Sequence, residues 1–128
     1  MNNQKNIVLC GVGGQGTVLA SKLLAAAAMS KDIPVMSAET IGMAQRGGSV
    51  FSHLRMGNDL YSPMIETGTA DLIIGFEPGE TVRMLPYLKT GGHVVVSTRA
   101  VKPVTATRCP PDARLPESKC SESHLCKC

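Results

Sequence analysis

Lys5-Asn6-Ile7-Val8-Leu9-Cys10-Gly11-Val12-Gly13-Gly14-Gln15-Gly16 is an apolar run that passes directly into a glycine-rich turn, and it decides the fold. Residues 5–10 read as a short buried strand. Gly11 to Gly16 matches G-x-G-x-x-G, a turn that follows a strand and opens a helix. Gly11 is expected to permit the tight turn, Gly13 to let backbone approach a ligand or another chain, and Gly16 to let helix and strand pack closely. Residues 17–30 read as the helix. Leu19, Leu23, Ala26 and Ala27 recur at i, i+4, i+7 and i+8, so the spacing assigns them to its inner face. The amides at its start, aided by the helix dipole, form a natural site for phosphate or carboxylate.

Further along, Pro34 punctuates the chain and residues 34–38 read as a second strand. Residues 39–48, with Gly42, Gly47 and Gly48, read as a loop. Residues 49–56 alternate with strand period, Val50, Ser52, Leu54 and Met56 on one face and Phe51, His53 and Arg55 on the other. Gly57-Asn58-Asp59 makes a turn, and residues 71–76 form another buried strand. Pro78 suits the first turn of a helix, and Glu77 and Glu80 suit its positive end. Val82 and Leu85 mark that helix's inner face, and Pro86 ends it. Gly91-Gly92 is a stop before a β-branched strand over 93–98. This order predicts an α/β fold, a three-layer sandwich with a mainly parallel, Rossmann-like sheet. Ligand sites in such folds lie at the carboxyl ends of the strands, which brings the 11–16 and 39–48 loops to one edge.

The 128 residues predict one domain, and the 43% that are apolar suffice for a core. With no Trp, two Phe and two Tyr, this chain alone is a poor source of aromatic pocket walls. The net charge is +3 with Lys and Arg scattered, so nucleic-acid binding is not expected. No apolar run reaches the ~18 residues that span a bilayer. The segment after the polar start is too short for a signal peptide, and the reading is a soluble cytoplasmic protein with no membrane partner. Cys10 ends a strand and reads as a small core residue rather than a nucleophile. The other four of the five cysteines fall in the last twenty residues, unlike a disulfide framework. Cys120, His124, Cys126 and Cys128 are soft ligands, but C-x3-H-x-C-x-C is not a common zinc spacing, so no metal site is assigned. His53 and His93 lack an acid or nucleophile nearby in sequence and read as structural. No catalytic residue is assigned.

Two stretches carry the candidate ligand-binding or subunit-contact residues: Gly11, Gly13, Gly14, Gln15 and Gly16, then Glu39, Gln45, Arg46, Gly47 and Gly48. Glu39 lies about 20 residues past the glycine loop, where a dinucleotide-binding protein carries its ribose-binding acid. A stand-alone module for NAD or FAD is therefore one reading. The other is that the glycines serve close packing and a subunit contact. Gln15 suits both. Arg46 carries a planar fork suited to carboxylate or phosphate, although a lone Arg is more often a solvated surface group.

Gly11-Val12-Gly13-Gly14-Gln15-Gly16 after a first strand, Gln45-Arg46-Gly47-Gly48-Ser49 before a third, then Ser62-Pro63-Met64-Ile65 and Ala70-Asp71-Leu72, together resemble the gamma-type domain of 2-oxoacid:ferredoxin oxidoreductases. Within that superfamily, Ser37 to Gly48 looks most like the beta-subunit family of indolepyruvate:ferredoxin oxidoreductase. The resemblance covers about residues 5–107. It implies a non-catalytic small subunit of an enzyme that decarboxylates an aryl pyruvate oxidatively with coenzyme A, giving aryl-acetyl-CoA, carbon dioxide and reduced ferredoxin. Thiamine diphosphate and iron–sulfur clusters then reside on a large partner subunit, with none on this chain. Coenzyme A is expected near the interface, and ferredoxin meets the complex as a whole. A partner-dependent subunit leaves apolar surface exposed, which a homodimer of the isolated chain would also cover.

Residues 1–107 thus form the expected gamma-type domain. From Arg108 the text turns rich in Cys and Pro and loses periodic apolar pattern, so 108–128 is expected to be irregular or disordered. The likeness ends there in mid-fold, as after a reading-frame shift or truncation at the carboxyl end.

Overall fold

The computed structural model describes residues 4–41 and 47–101. The elements run β1 (Lys5–Val12), α1 (Thr17–Met29), β2 (Val35–Ile41), β3 (Ser49–Met56), β4 (Ala70–Gly75), α2 (Pro78–Met84), a 3-10 turn (Leu85–Tyr87) and β5 (Leu88–Val96). The five strands form one sheet in the order β2-β3-β1-β4-β5.

The β1 strand is central, and its alternation builds both faces of the sheet. Ile7 and Leu9 join Leu54 on one face, where Ala20, Leu24 and Ala25 of α1 cover them. Val8 and Cys10 join Ile73 and Met84 on the other, beneath α2. The result is the expected three layers. Val8, Leu9, Leu54 and Ile73 are fully buried, each contributing about 1.5–3 kcal/mol of hydrophobic stabilisation. The α2 helix starts as its sequence requires. Glu77 is the N-cap and its Oε2 accepts from the Glu80 amide at 2.8 Å.

The sheet is less parallel than its pattern implied. The β1–β4 and β4–β5 pairs are parallel, but β3 runs antiparallel to both β1 and β2. The stretch 42–48 between β2 and β3 is too short for the crossover that a parallel neighbour needs, so the chain returns as an antiparallel partner. Four strands still point the same way, with β3 inserted between β2 and β1. Two smaller differences sit at strand ends. Glu39 lies within β2, opposite Ser52, rather than in a loop. Gly91 and Gly92 lie inside β5, where Gly91 has a φ of 78°.

Both helices bury a different face from the one their largest apolar residues mark. Thr17, Ser21 and Ala28 are the buried positions of α1, whereas Leu19, Leu23, Ala26 and Ala27 are exposed. In α2 the buried residues are Thr81 and Met84, and Val82 and Leu85 are exposed. Small side chains face the sheet because backbone approaches closely there. A Cβ at Gly11 would meet Thr17 Oγ1 at 2.9 Å, and one at Gly75 would meet Thr81 Oγ1 at 1.7 Å.

The long connection from β3 to β4 is tied down by polar contacts. Arg55 donates to the Ser62 carbonyl at 2.9 Å and to Asn6 Oδ1 at 3.1 Å. The Ile65 amide donates to His53 Nδ1 at 3.3 Å. No helix among the described residues is long and apolar enough to cross a membrane.

Candidate functional site

The carboxyl ends of β1 and β2 and the start of β3 meet at one edge of the sheet, where the glycine loop leads into α1. Gly13 and Gly48 touch there: the Gly13 amide donates to the Gly48 carbonyl at 2.8 Å. The two glycine stretches are therefore neighbours, as the strand order implied. Gln45 and Arg46 lie outside the described residues.

The glycines divide their work differently from the expected pattern. Gly11 is the close-packing position, since an added Cβ would meet Gln15 Oε1 at 2.8 Å, Phe76 Cβ at 2.9 Å and Thr17 Oγ1 at 2.9 Å. Gly14 and Gly16 supply the turn, with φ of 98° and 85° and open space where a Cβ would point. Gln15 folds back into the loop. Its Oε1 accepts from the Val12 amide at 2.7 Å and its Nε2 donates to the Phe76 carbonyl at 3.3 Å. It is thus a brace for the loop rather than a group presented at the apex.

Gly16 is the N-cap of α1 and brings no side-chain cap. The first amides of a helix have no partner within it, so these donors face a cleft of about 380 Å³ lined by Val12, Gly13, Gly14, Gly16, Thr17, Val18 and Val50. Thr17 is 3% exposed, and its Oγ1 has no hydrogen-bond partner among the described residues. A buried hydroxyl without a partner costs about 1–3 kcal/mol. Ser21 and Ser52 carry unpartnered buried hydroxyls as well. Sequence reading missed all three, because a hydroxyl next to an apolar residue does not reveal which face it takes. It is the free amides at the positive end of the helix that fit a phosphate or carboxylate oxygen.

Glu39 is half-buried on β2. In the dinucleotide-binding fold the second strand lies beside the first. Here β3 intervenes, which sets Glu39 about 10 Å from β1 at two strand spacings. The acid is not beside the glycine loop in the way that the ribose contact requires, and the stand-alone NAD or FAD reading is set aside.

Two titratable side chains, Cys10 and His53, are built into the core. Burial pushes the Cys10 thiol up to about 11; the Thr81 hydroxyl works against that rise, and Glu80 and Glu77 add to it. His53 is fully buried between the rings of Phe51 and Tyr87, both edge-on with centroids 5.5 Å away. Burial holds its imidazole below the ordinary range. Because Nδ1 accepts from Ile65, the proton sits on Nε2, which has no partner among the described residues. No group of three or more His, Cys, Asp or Glu among the described residues is placed to hold a metal. The 108–128 segment, with Cys120, His124, Cys126 and Cys128, lies outside them.

The fold and the site define a three-layer α/β domain that presents an uncapped glycine-loop helix at the carboxyl edge, with its second strand held off the first by an antiparallel strand. The chain belongs to the pyruvate ferredoxin/flavodoxin oxidoreductase family, whose model matches residues 6–122 and so continues past residue 107. It is 44% identical over 105 residues to indolepyruvate oxidoreductase subunit IorB of Methanothermobacter thermautotrophicus, covering 82% of this chain and 53% of that one. It is 46% identical over 99 residues to the subunit of the same name from Pyrococcus horikoshii, covering 77% and 49%. The chain thus spans about half the length of the curated relatives it matches. Among solved structures, the 2-oxoglutarate:ferredoxin oxidoreductase of Magnetococcus marinus shares the fold with a TM-score of 0.65 at 22% identity, over 75% of this chain and 16% of that chain.

Proposed function

We propose that this chain is the non-catalytic small subunit of a thiamine-diphosphate-dependent 2-oxoacid:ferredoxin oxidoreductase that acts on indolepyruvate or a related aryl pyruvate. The reaction joins the 2-oxo acid, coenzyme A and two oxidised ferredoxins. It yields aryl-acetyl-CoA, carbon dioxide, a proton and two reduced ferredoxins. The observation that carries this reading is the 44–46% identity, over 99 to 105 residues, to subunits named for indolepyruvate oxidoreductase. Residues 1–107 hold the gamma-type domain in this reading, and the complex works in the cytoplasm.

Thiamine diphosphate and the iron–sulfur clusters belong to the large partner subunit, where they supply the decarboxylation and the electron path. This chain's share is binding and assembly. The first amides of α1 suit one anionic group of coenzyme A at the subunit interface, with Gly13, Gly14 and Gly16 shaping the approach and Gly11 letting Thr17 pack beneath it. Gly48 lies beside the loop through its bond with the Gly13 amide, and Gln45, Arg46 and Gly47 precede it in sequence. The outward face of α1 supports the subunit role. Leu19, Leu23 and Met29 are 62%, 63% and 66% exposed, and large apolar side chains exposed together on one helix suit a protein contact.

The test is co-expression with the large subunit, followed by co-purification and a viologen-reduction assay that depends on indolepyruvate and coenzyme A. Co-purification with activity is the expected outcome. Failure to associate, while a full-length homologue binds in parallel, sinks the proposal.

A further inference from the structure

We propose that Glu80 is a positioning residue for the glycine-loop edge, acting through Ser49. This rests on the reading above, in which that edge meets coenzyme A. Glu80 lies in the first turn of α2, and its side chain is 12% exposed. Its amide is fixed by the Glu77 carboxylate at 2.8 Å. Its own carboxylate is shared between Arg83, at 3.2 Å, and Ser49 Oγ, which donates to Oε2 at 2.5 Å. A hydroxyl on a carboxylate is a charge-assisted bond, roughly twice as strong as a neutral one, and this one is partly buried.

Ser49 is the first residue of β3 and pairs with Val12. The carbonyl that receives the Gly13 amide belongs to Gly48, in the planar peptide unit that joins Gly48 to Ser49. Fixing Ser49 therefore fixes the direction of that carbonyl. Gly48 has no side chain to anchor it, and Gly47 has a φ of 76°. The sequence Glu77, Glu80, Ser49, Gly48, Gly13 is a continuous series of contacts from the α2 layer to the loop on the α1 side of the sheet. An apolar residue at position 80 would leave the Ser49 hydroxyl without its acceptor.

Amide hydrogen exchange on the 128-residue chain tests the series directly, with the Phe76 amide, bonded to the Cys10 carbonyl at 2.8 Å, as internal reference. In Glu80→Ala and in Ser49→Ala, Gly13 should exchange about tenfold to a hundredfold faster while Phe76 is unchanged. The double variant should be no faster than either single one. Glu80→Gln keeps an acceptor and should retain most of the protection. Unchanged Gly13 exchange, equal acceleration of Phe76, or additive effects in the double variant each overturn the proposal. In the complex with the large subunit, Glu80→Ala should raise the KM for coenzyme A about tenfold at a kcat near that of the unsubstituted chain, with Glu80→Gln restoring it. An unchanged KM overturns the positioning role. A complex of the unsubstituted chain with no coenzyme-A-dependent turnover counts against the functional reading instead, and the exchange result still decides the contact.

Discussion

Replacing Gly75 by alanine tests how closely α2 rests on the sheet. The added Cβ would lie 1.7 Å from Thr81 Oγ1, 2.8 Å from Thr81 Cβ and 2.9 Å from Thr81 Cγ2. Rotating χ1 moves the oxygen and the methyl but leaves Thr81 Cβ in place, so no rotamer relieves the clash. The helix itself must lift. Thr81 is 4% exposed and its hydroxyl donates to the Glu77 carbonyl at 2.7 Å, so lifting also strains the start of α2. Overpacking of this kind costs about 1–3 kcal/mol, and a weakened hydrogen bond adds about 1 kcal/mol. The lower entropy of the unfolded alanine chain returns about 0.4–1 kcal/mol. A 1.7 Å contact puts the overpacking at the upper end of its range, so the net expectation is a loss of about 3 kcal/mol. With an m-value near ~1.5 kcal/mol/M, the urea midpoint should fall by about 2 M. Thr81→Ala removes two of the three clashing atoms, so Gly75→Ala should cost only about 1 kcal/mol in that background, a coupling of about 2 kcal/mol. A midpoint within about 0.3 M of the unsubstituted chain, or strict additivity in the double variant, refutes the close-approach argument.

Burial holds the Cys10 thiol at about 11 against an ordinary 9.0. Folding favours the neutral thiol, so that share of stability is complete below pH 9 and is lost as pH rises toward 11. Urea midpoints of Cys10→Ala should lack this alkaline fall. Burial lowers the His53 pKa from 6.5, so its contribution is complete above pH 6.5 and declines as pH drops below that value. His53→Phe should flatten the midpoint between pH 6.5 and pH 5, while costing about 1–3 kcal/mol at neutral pH because the Ile65 amide loses its acceptor. Leu23→Arg should leave the chain's own stability within about 0.5 kcal/mol and abolish co-purification with the large subunit; retained co-purification would move the contact away from α1.

Much of the fold was legible because its punctuation is chemical. Pro78 after Glu77 announces a helix start, and Glu77 does accept the Glu80 amide there. The alternation of residues 49–56 announces β3, and the apolar runs announce β1 and β4. Strand direction was not legible. Alternation is the same for parallel and antiparallel partners, and only the shortness of the 42–48 stretch carried the information that β3 must turn back. The glycine loop was found by its spacing, but the roles of Gly11 and Gly16 were exchanged. Their positions relative to Thr17 and Phe76 depend on how the helix leaves the sheet. Glu39 shows the limit of a motif: its distance along the chain fits a dinucleotide site, and the intervening β3 removes it from the loop.

The α1 helix shows why size misleads about burial. Thr17, Ser21, Leu24, Ala25 and Ala28 repeat at i, i+4, i+7, i+8 and i+11, and the first four of these intervals are shared by the Leu19, Leu23, Ala26 and Ala27 stripe. Periodicity alone therefore permits two faces, and the larger residues claim the core by their transfer free energy. The backbone decides otherwise. With Gly11 allowing Thr17 Oγ1 so near the sheet, the helix lies too close for a leucine at that level, and the hydroxyl-bearing face turns inward. The apolar stripe is left outside, with Leu19, Leu23 and Met29 each more than 60% exposed. Covering one such side chain is worth about 1–2 kcal/mol. The close packing that shapes the glycine loop thus also displaces onto the surface several kcal/mol of hydrophobic free energy, which burial against further protein surface would recover. The proposed ligand edge and the proposed contact face both depend on one helix position, and a substitution that shifts α1 should disturb both together.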